Sequence, residues 1–278
     1  MLILKQFYIK LLTFFGLLIN IIYPQKKNKI FTFHEIKKNN YSKFYKVIKY
    51  IQSKYKIINP EDKFNFNSKG GQAIITFDDG YYSQYECTKK YLDKENIKAI
   101  FFVIYDFMNI KSKNKHKEFL KKNLKINPEF INNKEFKNMN FKNFKSLIKN
   151  GHTIGSHTLS HPNLKNISKE KCKIEISKSR HAISKKLGVK KINNFAITFG
   201  GINYFNPYVL KLCKKYYKSI YTGIRGSNNN RHKVFFRENC DLNKDFKEIK
   251  FLVDGHADIH YIFDRIKLKI YNFIAYKC

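Results

Sequence analysis

The feature that most constrains this chain is a series of short apolar runs, each closed by polar residues and separated from the next by a stretch of helical length. Residues 73–77 (AIITF) end in Asp78-Asp79-Gly80. After a polar segment over 84–95 comes a second run, residues 99–104 (AIFFVI). Runs of this length, rich in β-branched and aromatic residues and bounded by turn residues, read as buried strands. Strand, helix and strand at this spacing predict βαβ units and a parallel sheet. The alternation continues. Strands are predicted at 30–33, 153–155, 194–199 and 219–222, with another near Phe235-Phe236, and helices at 41–55, 141–149 and 207–216. Residues 168–187 carry a full set of helix signals: Ser168 as cap, Gly188 as stop, and Ile174, Ile183 and Leu187 as the inner face. Residues 107–140, rich in Lys and Asn, read as an insertion or a loop-helix excursion.

A chain of 278 residues with 43% apolar residues can build one large α/β domain or two small ones, and global disorder is excluded. The formal charge is +34, from 55 Lys+Arg against 21 Asp+Glu. Such a charge attracts nucleic acid or an anionic membrane by simple electrostatics. The lysines are dispersed rather than blocked, which fits a solvated surface. No nucleic-acid-binding motif is present, so no specific nucleic-acid partner is expected. Five cysteines stand at wide spacings with no CxxC pair, which argues against a disulfide framework and against a cysteine zinc site. Residues 11–23 (LLTFFGLLINIIY) are strongly apolar, preceded by Lys5 and Lys10 and followed by Pro24, Lys26, Lys27 and Lys29. The run is short for a spanning helix, which needs about 20 residues, and no small-x-small cleavage site follows it. Residues 1–25 are therefore read as an apolar segment, either an uncleaved anchor, an interfacial helix or the first helix of the fold, and 26–278 as one domain. Association with an anionic membrane surface is expected, in the cell envelope or on its cytoplasmic face.

In parallel α/β folds, functional residues collect at the carboxyl ends of strands. Four polar groups fall there: His34, Asp78-Asp79, the pair His157 and His161, and the Gly200-Gly201 turn. Two histidines four residues apart, on a helical turn or a tight loop, can aim both imidazoles at one point. With one carboxylate they make a site for Zn²⁺ or a similar ion, with a position left for water. One Asp of the pair can be the third ligand and the other a general base, since a metal's charge favours the ionised form of both.

The segments Thr76-Phe77-Asp78-Asp79-Gly80 and Ser156-His157-Thr158-Leu159-Ser160-His161 resemble the first two motifs of the NodB-type polysaccharide deacetylases (carbohydrate esterase family 4-like). Phe195-Ala196-Ile197-Thr198-Phe199-Gly200 resembles the third, with Thr198 where proline is usual. The resemblance implies an irregular (β/α) barrel with fewer than eight regular strands. It implies Asp78 as catalytic base, Asp79, His157 and His161 as ligands of one divalent metal (Zn, or Co or Ni), and the backbone N–H near Phe199 as a donor to the oxyanion. The arginine that often opens the third motif is missing; Asn193 and Asn194 stand near its place. For the general acid, Phe33-His34-Glu35-Ile36 resembles a first-strand histidine found in poly-N-acetylglucosamine deacetylases, and His34 is preferred to His256, the late candidate. The implied reaction is removal of acetyl groups from N-acetylated sugars of a cell-surface polysaccharide or glycolipid. The alternatives are an O-deacetylase or small-molecule amidase on the same scaffold, and a non-catalytic glycan- or membrane-binding relative.

Overall fold

The structure, a computed structural model, describes residues 28–62, 64–65, 68, 70–131, 136–228 and 233–277. The apolar segment over 1–25 lies outside the described residues apart from its context in the sequence. Among the described residues there are nine strands: β1 (Lys29–Phe33), β2 (Lys56–Ile57), β3 (Gln72–Phe77), β4 (Ala99–Val103), β5 (Thr153–Ser156), β6 (Asn194–Ala196), β7 (Ser219–Tyr221), β8 (Val234–Phe235) and β9 (Glu238–Asn239). They lie in one sheet in the order β8-β7-β6-β5-β4-β3-β1-β9, with β2 paired to β3, and every pairing is parallel. Only β1, β3, β4, β5, β6 and β7 reach three residues or more, so the sheet has fewer than eight regular strands, as the motifs implied.

The two ends of that order, β8 and β9, are separated in the chain only by Phe236 and Arg237. One short run of chain thus pairs first with β7 and then with β1, and the sheet curls round until its two edges meet through it. The period-2 pattern of the strands separates two cores. Ile30, Ile74, Ile100, Phe102, Ala196 and Tyr221 pack together inside the curl, with Phe235 against them. Residues of opposite parity, among them Phe31, Phe33, Ile75, Phe77, Phe101 and Phe195, join the larger core under the helices.

Helices stand at the predicted 41–55, 84–95, 141–149, 168–187 and 207–216, with others in the 107–140 excursion and, unpredicted, after residue 245. They are α1 (Tyr41–Lys54), α2 (Tyr82–Cys87, continued by a π-helical turn over Thr88–Leu92), α3 (Tyr105–Asn109), α4 (Lys113–Lys122), α5 (Phe141–Lys149), α6 (Lys169–Leu187), α7 (Pro207–Tyr216), α8 (Phe246–Val253) and α9 (Ile262–Lys277). Helix α6 starts at Ser168, whose side chain accepts from the Lys171 N–H, and stops at Gly188 in the left-handed region. Its inner face keeps the predicted Ile183 and Leu187 but not Ile174. Ile174 is 42% exposed, and the buried row is Cys172, Glu175, Ile176, Ser179, Ile183 and Leu187. Strand β6 is shorter than predicted, because Phe199 and Gly200 take φ of +59° and +66° and turn the chain out of the sheet. The excursion after β4 folds as α3 and α4 around its own apolar cluster of Tyr81, Ile104, Phe107, Phe119, Leu120 and Phe136. Four cysteines, Cys87, Cys172, Cys213 and Cys240, are free and buried. No described helix is long and apolar enough to cross a membrane.

Candidate active site

Because the strands are parallel and in register, their ends form one rim: Phe33 pairs with Phe77, Val103 with Ser156, and Ser156 with Phe195. The next residues along these strands are the predicted ones. His34 follows β1, Asp78 and Asp79 follow β3, His157 follows β5, and the 197–201 turn follows β6. All of them, with His161 and Phe199, line one cleft of about 750 Å³. His256 is not among its lining residues; its ring packs 5.1 Å from Phe251.

Asp79, His157 and His161 each bring one ligand atom, and the three atoms lie within 4.8 Å of one another, all buried. Nε2 of His157 stands 3.6 Å, and Nε2 of His161 3.7 Å, from Asp79 Oδ1. Two ligands each about 2.0–2.1 Å from a tetrahedral Zn²⁺ would stand about 3.4 Å apart, so the spacing suits an ion between them. The far nitrogens settle which atoms face the centre. Nδ1 of His157 lies 2.8 Å from the Ala196 carbonyl oxygen, and Nδ1 of His161 lies 3.1 Å from that of Asn123. A carbonyl only accepts, so each Nδ1 carries the proton and each Nε2 presents its lone pair to Asp79. Burial first, and then the neighbouring His157, push the His161 imidazolium down to about 4, so this ring is neutral at pH 7, as a ligand must be. Asp79 Oδ1 is buried and accepts no hydrogen bond. An orphaned carboxylate oxygen facing two imidazole lone pairs is unfavourable without a cation. The donor set therefore fits a divalent metal.

Asp78 is placed differently. Burial works to raise its carboxyl, but the charge of Arg237, followed by that of His157 and the Arg237 hydrogen bonds, holds it well below the usual carboxylate range. Arg237 donates from Nη1 to Oδ1 at 2.6 Å and from Nη2 to Oδ2 at 2.7 Å, a two-point clamp. The same guanidinium donates to the Thr222 carbonyl and rests 5.3 Å above the Phe102 ring. His34, 45% exposed, has Nε2 3.8 Å from Asp78 Oδ2.

The loop bearing the histidines is held by a residue that no motif marks. Glu175 of α6 accepts from the N–H groups of Leu159 (2.9 Å) and Ser160 (3.0 Å) and from the Ser160 hydroxyl (2.6 Å). Thr198, standing in the proline position, donates its hydroxyl to the Pro162 carbonyl at 2.6 Å and ties the third motif to the second. Phe199 sets its ring 4.6 Å from that of His161 and stacks on Tyr204. Gly200 is confined: a Cβ there would meet the Gly223 nitrogen at 2.5 Å. Left-handed backbone gathers at the site, with φ of +74° at Asp79, +71° at Thr158, +62° at His161 and +59° at Phe199. Such angles are uncommon for residues with a Cβ, and most of all for a β-branched one.

Motif reading thus singled out Asp79, His157 and His161, which the structure brings together, and His34 near Asp78. It missed Arg237, which clamps Asp78 from 159 residues away, and Glu175. Arg237 has no local signal in the sequence. For Glu175, the one available hint is a carboxylate on the inner row of α6, which predicts a buried polar partner.

Comparison with known proteins agrees with this geometry. No curated protein matches the sequence. Among solved structures, the Streptococcus pyogenes deacetylase PplD superposes with a TM-score of 0.59 at 19% identity, covering 78% of this chain and 93% of its own. IcaB from Ammonifex degensii gives 0.62 at 15% identity, covering 84% and 97%. A de-N-acetylase from Aggregatibacter actinomycetemcomitans gives 0.60 at 14%, covering 81% and 99%. At these identities the likeness shows the fold. Residues 67–217 match the family model for polysaccharide deacetylase, and that match takes in both aspartates, both histidines and the third motif. The chain belongs to the polysaccharide deacetylase family.

Proposed function

We propose that this chain is a metal-dependent hydrolase that removes the acetyl group from N-acetylated sugars of a polysaccharide or glycolipid. The observation that carries the reading is the buried Asp79-His157-His161 group, with both Nε2 lone pairs aimed at an unpaired carboxylate oxygen, beside a separately clamped aspartate and an exposed histidine. Asp79, His157 and His161 would hold the ion, with Zn the natural choice for two imidazoles and a carboxylate and Co or Ni also suited. When bound, it supplies Lewis-acid polarisation of the acetyl carbonyl and eases deprotonation of water.

The remaining chemistry belongs to the chain. Asp78 stays ionised, and its oxygens keep lone pairs beyond the two that Arg237 uses, so it accepts the proton of the attacking water. The backbone N–H of Phe199 donates to the oxyanion that develops on the acetyl oxygen. His34 stands across from Asp78 at the open side of the cleft and gives a proton to the sugar nitrogen as the C–N bond breaks, leaving acetate and a free amine. His34 is preferred to His256 on position, since only His34 lines the cleft.

The test is metal content and acetate release from N-acetylglucosamine oligomers, for the wild type and Asp79→Ala. About one ion per chain is expected in the wild type, with both metal and acetate release lost in the variant. Ammonia in place of acetate would give the site to a small-molecule amidase, and acetate from O-acetylated sugars alone to an O-deacetylase. A metal-loaded protein that releases neither product would sink the catalytic reading.

A further inference from the structure

Helix α9 is apolar on two sides. Leu268 and Ala275, with Tyr271 partly buried, face the body of the protein, where the helix packs on α7. At 3.6 residues per turn, Phe263, Ile266, Ile270 and Ile274 share the opposite face. They are exposed by 72%, 48%, 52% and 38%. Lys267 and Lys269, both exposed, fall on either flank of this stripe. An outward apolar stripe edged by lysines on a helix already packed along its other face is the pattern of a helix lying in a bilayer surface, with its lysine stems reaching up to the headgroups. At 16 residues with charges along it, α9 does not suit a spanning role.

The surrounding chain points to the same occupant. The described residues begin at Asn28, whose carbonyl accepts from the Asn228 N–H. Lys29 pairs with Asp258 at 2.6 Å, and Arg265 in the first turn of α9 donates to the Asp258 carbonyl. The first described residues, Asn28 and Lys29, therefore lie beside the start of α9, and the apolar run 11–23 precedes them in the sequence. That run is apolar at nearly every position, so laying it over the stripe would move an apolar face outward rather than remove it. A second copy is disfavoured by charge, because it would bring two lysine-edged faces together on chains of formal charge +34. A bilayer with anionic headgroups covers the stripe and matches the charge.

We infer that the outer face of α9, centred on Phe263, Ile266 and Ile270, seats this protein in the plane of an anionic membrane surface.

The chain has no tryptophan, so Phe263→Trp in the full-length protein gives a single reporter on the stripe. With phosphatidylcholine vesicles containing phosphatidylserine, the indole emission should shift to the blue and be quenched by brominated acyl chains. Both effects should weaken with added salt. The double variant Ile266→Ser with Ile270→Ser, at exposed positions that leave the fold intact by circular dichroism, should lose about a hundredfold in vesicle affinity. Vesicle binding with no change at the indole would overturn the inference in favour of residues 1–27 alone. An indole already shielded from iodide in dilute, lipid-free protein would mean that those residues cover the stripe. A blue shift that appears with protein concentration in the absence of lipid would give the face to a second copy. Either of these last two results overturns it as well.

Discussion

Asp78 and Asp79 are neighbours in the chain and opposites in surroundings. Asp78 has both oxygens on one guanidinium, whereas Asp79 turns a bare oxygen to two imidazoles. The left-handed backbone at Asp79 and the following Gly80 separates the two side chains, so adjacent carboxylates serve different ends. In the proposed reaction Arg237 is then a positioning residue for Asp78. Arg237→Lys keeps the charge but loses the planar fork, and kcat should fall with metal content unchanged. Arg237→Gln removes the charge and leaves a buried carboxylate unpaired, at a loss of about 3–5 kcal/mol in stability. The direction of its pH effect follows from the clamp. In the wild type the Asp78 carboxyl is depressed, so it remains ionised well into acid. Without the guanidinium its pKa rises, and the acid limb of the kcat/KM profile should move to higher pH. A profile that does not move would mean that Asp78 is not the group whose ionisation the reaction needs.

Among the elements, the loop after β5 depends on a helix that lies outside every motif. Glu175 satisfies two loop N–H groups and a hydroxyl at once, so α6 sets the angle at which His157 and His161 meet Asp79. Glu175→Ala should lower metal affinity by about 10–100-fold, read by competition with a chromophoric chelator, while excess metal restores acetate release. A ligand loss would not be rescued so easily, which separates positioning from ligation. The same level shows what the sequence could reveal. Strands β1, β3 and β4 were legible because they are unbroken apolar runs ended by turn residues, and α6 because its cap and stop residues are explicit. Of the two-residue strands, β8 was caught only by its Phe235-Phe236 pair, while β2 and β9 carry no pattern, since period-2 alternation needs more residues to register. Helix α9 escaped for a different reason: with apolar residues on both its packed and its outward face, the contrast that marks an amphipathic helix is blurred. The chemistry was read from local motifs, and what was missed, Arg237 and Glu175, acts across long sequence separations.

For the molecule as a whole, the run that draws the two edges of the sheet together is also the run that clamps Asp78, since Arg237 is flanked by Phe236 and Glu238. Arg237 points inward to Asp78, and Glu238, of opposite parity, is buried on the other side. Arg225 Nε lies 2.9 Å from Glu238 Oε1, yet it is poorly aligned, and neither carboxylate oxygen accepts a hydrogen bond. Proximity without alignment leaves burial dominant, and burial, opposed by the charges of Arg225 and Lys29, raises the Glu238 carboxyl from 4.5 to about 7. An acid raised in the fold works against the usual carboxylate trend. Between about pH 4.5 and 7 the native state keeps a proton that the unfolded chain has released, so stability falls as pH rises through that window and levels off above it. The full effect of such a shift is about 3 kcal/mol. Glu238→Gln keeps the shape and removes the titration. Urea unfolding of both proteins at pH 5, 6, 7 and 8 should show the wild type losing stability relative to the variant across that range. If instead the wild type gains on the variant as pH rises, Glu238 is ionised in the fold and its bond to Arg225 is strong. The closing segment would then be held by an ion pair rather than by a protonated acid.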